Sequence, residues 1–228
     1  MKPRLEIGLG LMLMSFGSGC MDILSYRFLG EVFPSAMTGN VALMGLSIGQ
    51  GNVGAAVRNL CAFGGFFSGL LLGAVLLQAA PGRRRFLVTI GLQAVVLLAF
   101  ALLWDRHGVT AWRYGLIGCA AVGMGLQSAV AHRIGVAGVT TTYFTGTLNN
   151  IAFALTGRSA AGAPSPAIRR WTSWPVLAFL SYLAGAVIAG WYIAGRDGIE
   201  LPIGLPMLPL AATVILAAII ALERPRRA

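Results

Sequence analysis

Eight stretches of this chain run without a single Asp, Glu, Lys or Arg: 7–21, 32–57, 59–82, 86–104, 114–132, 134–157, 171–195 and 201–222. A helix needs about 20 apolar residues to cross the hydrocarbon core of a bilayer, and lipid leaves no partner for an unpaired backbone amide. Repeated stretches of this length therefore predict membrane-spanning helices. A β-barrel is the other spanning solution, but it requires a period-two alternation that these stretches lack. Only 11% of the 228 residues are charged, against about a quarter in soluble domains. The sequence thus predicts an all-α, polytopic membrane bundle with the lipid bilayer as its first partner.

The net charge of +10 does not redirect this reading toward nucleic acid. The basic residues sit at segment ends: Lys2 and Arg4, the run Arg83 to Arg85, the pair Arg169 and Arg170, and Arg224, Arg226 and Arg227. That placement anchors a chain to anionic headgroups and sets its orientation. No basic face interleaved with aromatics, as nucleic acid would require, is visible. Cys20, Cys61 and Cys119 are dispersed within apolar segments and lack metal-ligand spacing, so neither a disulfide framework nor a metal is expected. The apolar run after Lys2 and Arg4 superficially resembles a lipoprotein signal ending at Cys20. Glu6 interrupts its start and Asp22, Tyr26 and Arg27 continue it, so it is read as the first span.

Breakers such as Pro81-Gly82 and Gly135 to Gly138 divide the chain into helical segments at about 5–28, 35–50, 53–79, 85–104, 112–135, 140–157, 172–195 and 203–222. All belong to a single membrane domain over 1–228. The stretch 158–170, rich in Ala, Gly, Ser and Pro, reads as the one true linker. The second and sixth segments have apolar cores of about eight residues, too short for an easy crossing. They are either short spans or re-entrant helices. If all eight segments cross, basic residues divide 11 to 6 between the two sides; if the short ones re-enter, the division is 12 to 5. The positive-inside rule leans to the second arrangement, and both put the two termini in the cytoplasm.

The two halves match. Gly17 to Asp22 aligns with Gly123 to Ser128, and Met37-Thr38-Gly39-Asn40 aligns with Phe144-Thr145-Gly146-Thr147. Phe63 with Gly65, Gly69 and Gly73 aligns with Phe179 and Ser181, Gly185 and Ala189. Two repeats are therefore expected, at about 5–104 and 112–222, each with three full spans and one short helix. Small residues at every fourth position form a flat stripe for close helix packing, between halves or between two protomers of a homo-oligomer.

The Thr-Gly pairs point to chemistry. A short helix that starts inside the bilayer offers unpaired N–H groups and the positive end of a dipole, which suit anions or polar solutes. In transporters built from repeats, paired broken helices at the repeat interface form the substrate site. The structural alternative is that Thr38 and Thr145 merely cap helices, while Gly39 and Gly146 permit packing. Asp22 lies about 16 residues into its segment, roughly 24 Å along the helix. It would serve as a proton or cation site, or bond to a broken-helix end, unless it pairs with Arg27 or Arg58 near the headgroups. Gln127 stands at the equivalent depth, and Asn40 could join the same pocket. The candidate solute or coupling set is thus Asp22, Thr38, Gly39, Asn40, Gln127, Thr145 and Gly146.

The order Gly19-Cys20-Met21-Asp22, Met37-Thr38-Gly39-Asn40, Gly123-Met124-Gly125-Leu126-Gln127 and Thr145-Gly146-Thr147 resembles the YoaK-like family of bacterial multi-pass membrane proteins. The resemblance covers nearly the whole chain. It implies a small inner-membrane protein described as a transporter without an agreed substrate. One departure is Ser128, where that family typically carries Asn after the Gln.

His107 and His132 are the only histidines, and no HExxH, P-loop or nucleophile elbow occurs, so catalysis and cofactors are not expected. A secondary transporter or solute-binding membrane protein of an unknown small solute is the leading reading. A channel or structural assembly subunit is the alternative.

Overall fold

The computed structural model describes residues 5–78, 83–134, 148, 152, 173–194 and 204–222. Among them are seven α-helices: α1 (Leu5–Leu29), α2 (Met37–Gly49), α3 (Val53–Gln78), α4 (Arg83–Leu102), α5 (Thr110–Ile134), α6 (Ser173–Ala194) and α7 (Gly204–Leu222). A single 3-10 turn, Trp104–Arg106, joins α4 to α5. The expected segment 140–157 lies outside the described residues, apart from Leu148 and Ala152, which are helical. The other predicted segments recur within a few residues of their expected bounds. Five helices are long and apolar enough to cross a membrane, while α2 and the apolar part of α7 are shorter.

The apolar side chains sort the helices by position. α1 and α5 are 72% buried along their spans, against 28% for α3, 33% for α4 and 17% for α6. The central pair is therefore α1 and α5, and the others turn Phe67, Leu71, Val75, Val95, Leu180, Val187 and Trp191 outward. Exposed apolar residues of this kind suit a surface solvated by lipid. The core between the helices is filled by Met21, Leu24, Phe66, Leu97, Phe100, Leu116, Ile117 and Met124.

Contacts fix the direction of each helix. Gln127 of α5 reaches the Met14 carbonyl and Ser18 of α1, while Ser18 also meets Met124, so α1 and α5 run antiparallel. Gly65 faces Gly118 and Ala121, and Gly73 faces Leu126 and Ala129, so α3 runs parallel to α5. Gly8 packs on Trp174 and Gly19 on Tyr182 and Ala186, so α6 runs parallel to α1. It follows that α3 is antiparallel to α1, and the chain returns through the bundle without α2 having crossed it. α1 ends on Gly30, whose φ of +98° only glycine adopts freely, and the Glu31 amide closes the helix end on the Tyr26 carbonyl. The segment 30–36 then folds back beside α1, and α2 runs outward again to the start of α3. Arg58 of α3 donates to the Gly30 carbonyl at 3.1 Å, which pins the two ends together. Of the two arrangements open from charge alone, α2 is the re-entrant one. Its 13 residues span about 20 Å.

The two most extensive interfaces, α3 on α5 and α6 on α1, use the small-residue stripes. Any Cβ at Gly69 would strike the Val122 carbonyl, and one at Gly125 would strike the Phe66 carbonyl and Leu70 amide. Across the other interface, a Cβ at Gly185 would strike the Phe16 carbonyl, and one at Gly19 the Tyr182 carbonyl and Ala186 amide. Aligned residues thus make aligned contacts. α4 on α5 and α7 on α1 form a second matching pair, with Gly123 against Leu97 and Gly17 against Pro209 and Ala212. The stripes expected to bind halves or protomers are occupied within one chain.

Candidate solute site

α1 carries Ser15, Ser18, Asp22 and Ser25 at three- and four-residue spacing, which places them on one face. All four are fully buried. A polar stripe buried inside an apolar bundle is costly unless partners satisfy it. Two sets of partners satisfy Asp22 and Ser18, one above the other on α1.

The first set gathers at Asp22. One carboxylate oxygen accepts the Ser35 backbone N–H at 2.9 Å; the other accepts the Ser35 hydroxyl at 2.6 Å and the Tyr182 hydroxyl at 2.7 Å. Ser35 directly precedes Ala36, the N-cap of α2, which itself makes no side-chain cap bond. The carboxylate therefore sits where a helix start attracts negative charge, and supplies it from within the protein. Asp22 links α1, the re-entrant turn and α6. Neither Arg27 nor Arg58 pairs with it: Arg27 lies over the Phe28 ring and Arg58 is committed to the Gly30 carbonyl.

The second set centres on Gln127. Its side-chain N–H groups donate to the Met14 carbonyl at 3.1 Å and the Ser18 hydroxyl at 2.7 Å. Its oxygen accepts from Gln93 of α4 at 3.0 Å, and Gln93 also donates to the Thr213 hydroxyl of α7 at 3.0 Å. Thr213 in turn donates to the Pro209 carbonyl at 2.9 Å. Four helices thus meet at one polar cluster. Among the described residues the buried Gln93 side-chain oxygen finds no donor, and the buried Ser15 and Ser25 hydroxyls find no partner.

The other predicted residues fall elsewhere. Thr38 is exposed and caps nothing, because the helix starts two residues earlier than a Thr38 cap implies, with Ala36 as cap. Its hydroxyl is accordingly removed from the polar cluster. Gly39 lies against the Phe33 ring, close enough that a Cβ would press on it. Asn40 is buried, accepts the Phe33 N–H at 2.8 Å and donates to the Phe33 carbonyl, so it ties the re-entrant turn to α2. Thr145 and Gly146 lie outside the described residues. Of the candidate set, Asp22 and Gln127 share the buried face of the α1 bundle, Asn40 shapes the turn that meets Asp22, and Thr38 does not take part.

Five contributors escaped the sequence reading: Ser18, Ser35, Gln93, Tyr182 and Thr213. Gln93 and Thr213 are isolated polar residues in charge-free spans, a signal that could have marked them. Ser35 sits beside Pro34, and Tyr182 sits within an apolar run, where an aromatic is ordinary. Among the described residues no three His, Cys, Asp or Glu side chains gather into a metal site.

The model of a family described as "Protein of unknown function (DUF1275)" matches residues 10–220. The chain is 30% identical over 181 residues to the UPF0700 transmembrane protein YoaK of Bacillus subtilis (strain 168), covering 78% of this chain and 80% of that protein. No solved structure matches.

Proposed function

This chain belongs to the DUF1275 family of membrane proteins, and from that premise we propose that it handles a small solute as a secondary transporter or solute-binding protein, using the buried polar face of α1. The observation that carries this reading is Asp22, a buried acid whose partners are the start of a re-entrant half-helix and a tyrosine on another helix. An acid is expensive inside the bilayer and serves structure poorly there; its usual employment is in solute or ion movement. Broken helices whose starts point into the bundle are the usual site-forming parts of transporters built from repeats.

In this reading the two halves are copies related by a two-fold axis in the membrane plane. Support comes from the aligned glycine contacts and from the antiparallel course of α1 and α5. The axis would pass near Ser18 and Met124, aligned in sequence and in contact at 3.9 Å. The re-entrant arrangement also divides the basic residues 12 to 5, which favours cytoplasmic termini in an inner membrane.

A structural-subunit reading has one observation in its favour, namely that both Asp22 oxygens are filled by protein donors. The two readings part on a metabolite profile of deletion, overexpressing and Asp22→Asn strains. A transporter alters the medium or cell content of at least one small solute, and Asp22→Asn abolishes the change with the protein still in the membrane. A structural subunit leaves the solutes unchanged and co-purifies with a fixed partner.

A further inference from the structure

The hydrogen-bond polarity of the Gln127 cluster points to the chemistry of what binds there. A backbone carbonyl can only accept, so the Met14 carbonyl fixes which end of the Gln127 amide is nitrogen. That turns the Gln127 oxygen toward Gln93, which fixes the Gln93 nitrogen in turn. The Thr213 hydroxyl, spent on the Pro209 carbonyl, accepts the second Gln93 hydrogen. Ser18 likewise gives its hydrogen to the Met14 carbonyl while accepting from Gln127. Every donor of the Gln127, Gln93 and Thr213 chain of bonds is therefore consumed inside the protein, while the Ser15 and Ser25 hydroxyls stand outside that chain, on either side of Ser18 along α1. What that chain of bonds leaves over is an acceptor, the buried Gln93 oxygen, with no partner among the described residues. Flipping the Gln93 amide would set its oxygen against that of Gln127, so the chain of bonds holds one sense only.

A buried acceptor left unpaired is destabilising, and a ligand that donates to it would recover that loss. One turn further along the same face of α1, the start of α2 is already filled by the Asp22 carboxylate. The position that the sequence alone would assign to an anion thus carries a negative charge of its own. We propose that the junction of α1, α4, α5 and α7 at Gln93 seats an N–H or O–H donor of a small neutral or cationic solute, and that anions are refused. This deepens the solute-handling reading and rests on it for its physiological meaning, but binding at Gln93 is measurable without knowing the transported compound.

The full chain in lipid nanodiscs is melted in the presence of methylammonium chloride, glycerol or sodium acetate, with sodium chloride as the ionic control. Methylammonium or glycerol raises the thermal midpoint saturably, by roughly 2–4 °C, while acetate does no more than chloride. Whichever donor acts identifies the class as cationic or neutral. Gln93→Met abolishes the rise, and Gly64→Ala, whose added Cβ meets open space away from the cluster, keeps it. Should Gln93→Met fail to fold, Thr213→Val serves instead: it frees one Gln93 hydrogen beside the acceptor, and acetate then gains a partner and begins to shift the midpoint. Absence of any shift with either donor probe, an equal shift with acetate on the unmodified protein, or a shift that survives Gln93→Met overturns the proposal. Solute changes that depend on Asp22 alongside no donor binding would sink the Gln93 seat alone and leave the transport reading standing.

Discussion

The α3/α5 and α1/α6 interfaces share close glycine-to-backbone contacts and differ in chemistry. In each, two glycines bring helix backbones into direct contact at aligned positions. The side chains that flank those glycines diverge. On the α1/α6 side, Tyr182 follows Ser181 and donates to Asp22. The aligned positions on the α3/α5 side hold Phe66, after Gly65, and Ser128, aligned with Asp22, both buried. A hydroxyl and a carboxylate on one interface are thus replaced by a phenyl ring and a serine on the other. The glycine packing is shared between the interfaces, and among the described residues the polar bridge belongs to one of them.

The shared part should break first and equally. Gly69→Val and Gly185→Val each drive a side chain into backbone that cannot turn aside, and overpacking of this kind costs about 1–3 kcal/mol or more. Both variants are expected to lose monodisperse protein on gel filtration in detergent, to similar extents. A large difference between them would mean that the interfaces are not equivalent.

The unshared part should respond on one side only. Asp22→Ala leaves the Ser35 amide, the Ser35 hydroxyl and the Tyr182 hydroxyl without their acceptor, a loss of about 2–4 kcal/mol in denaturant titration. Ser128→Ala changes stability by under about 1 kcal/mol. Tyr182→Phe removes one bond to the carboxylate and falls between, at about 1.5–3 kcal/mol.

A transplant sharpens the comparison further. Phe66→Tyr and Ser128→Asp should each destabilise alone, and the double variant should recover about 1 kcal/mol or more relative to their sum if the second interface can host the same bridge. The smallest effect belongs to Gly64→Ala on α3, whose added Cβ meets open space; its stability should stay within about 1 kcal/mol of the parent.

How much of this was legible beforehand depended on which force wrote the signal. The spans were readable because desolvation of charge over a bilayer thickness leaves a run of absent residues, and the Gly65, Gly69 and Gly73 stripe was readable because close approach demands small side chains at helical spacing. Asp22 stood out by its cost. Its partners did not, since Ser35 and Tyr182 are unremarkable in their own segments; the fold-back at 30–36 brings the one to Asp22, and the packing of α6 on α1 brings the other. The course of α2 was beyond charge counting, where 12 to 5 and 11 to 6 hardly differ. Gln93 and Thr213 needed tertiary contact to be joined to Gln127. Thr38 misled for a local reason: Thr-Gly resembles a cap, but the helix had already begun.

The re-entrant course of α2 is what brings its start to Asp22, so it is tested most directly by side-specific labelling. In a background with Cys20, Cys61 and Cys119 replaced, single cysteines are placed at the exposed positions Glu31, before α2, and Asn52, after it. In intact cells, a membrane-impermeant maleimide should treat both alike and treat Gln78→Cys, at the far end of α3, oppositely. Labelling of Glu31→Cys and Asn52→Cys from opposite sides would mean that α2 crosses the bilayer, and the carboxylate could not then hold the start of that helix.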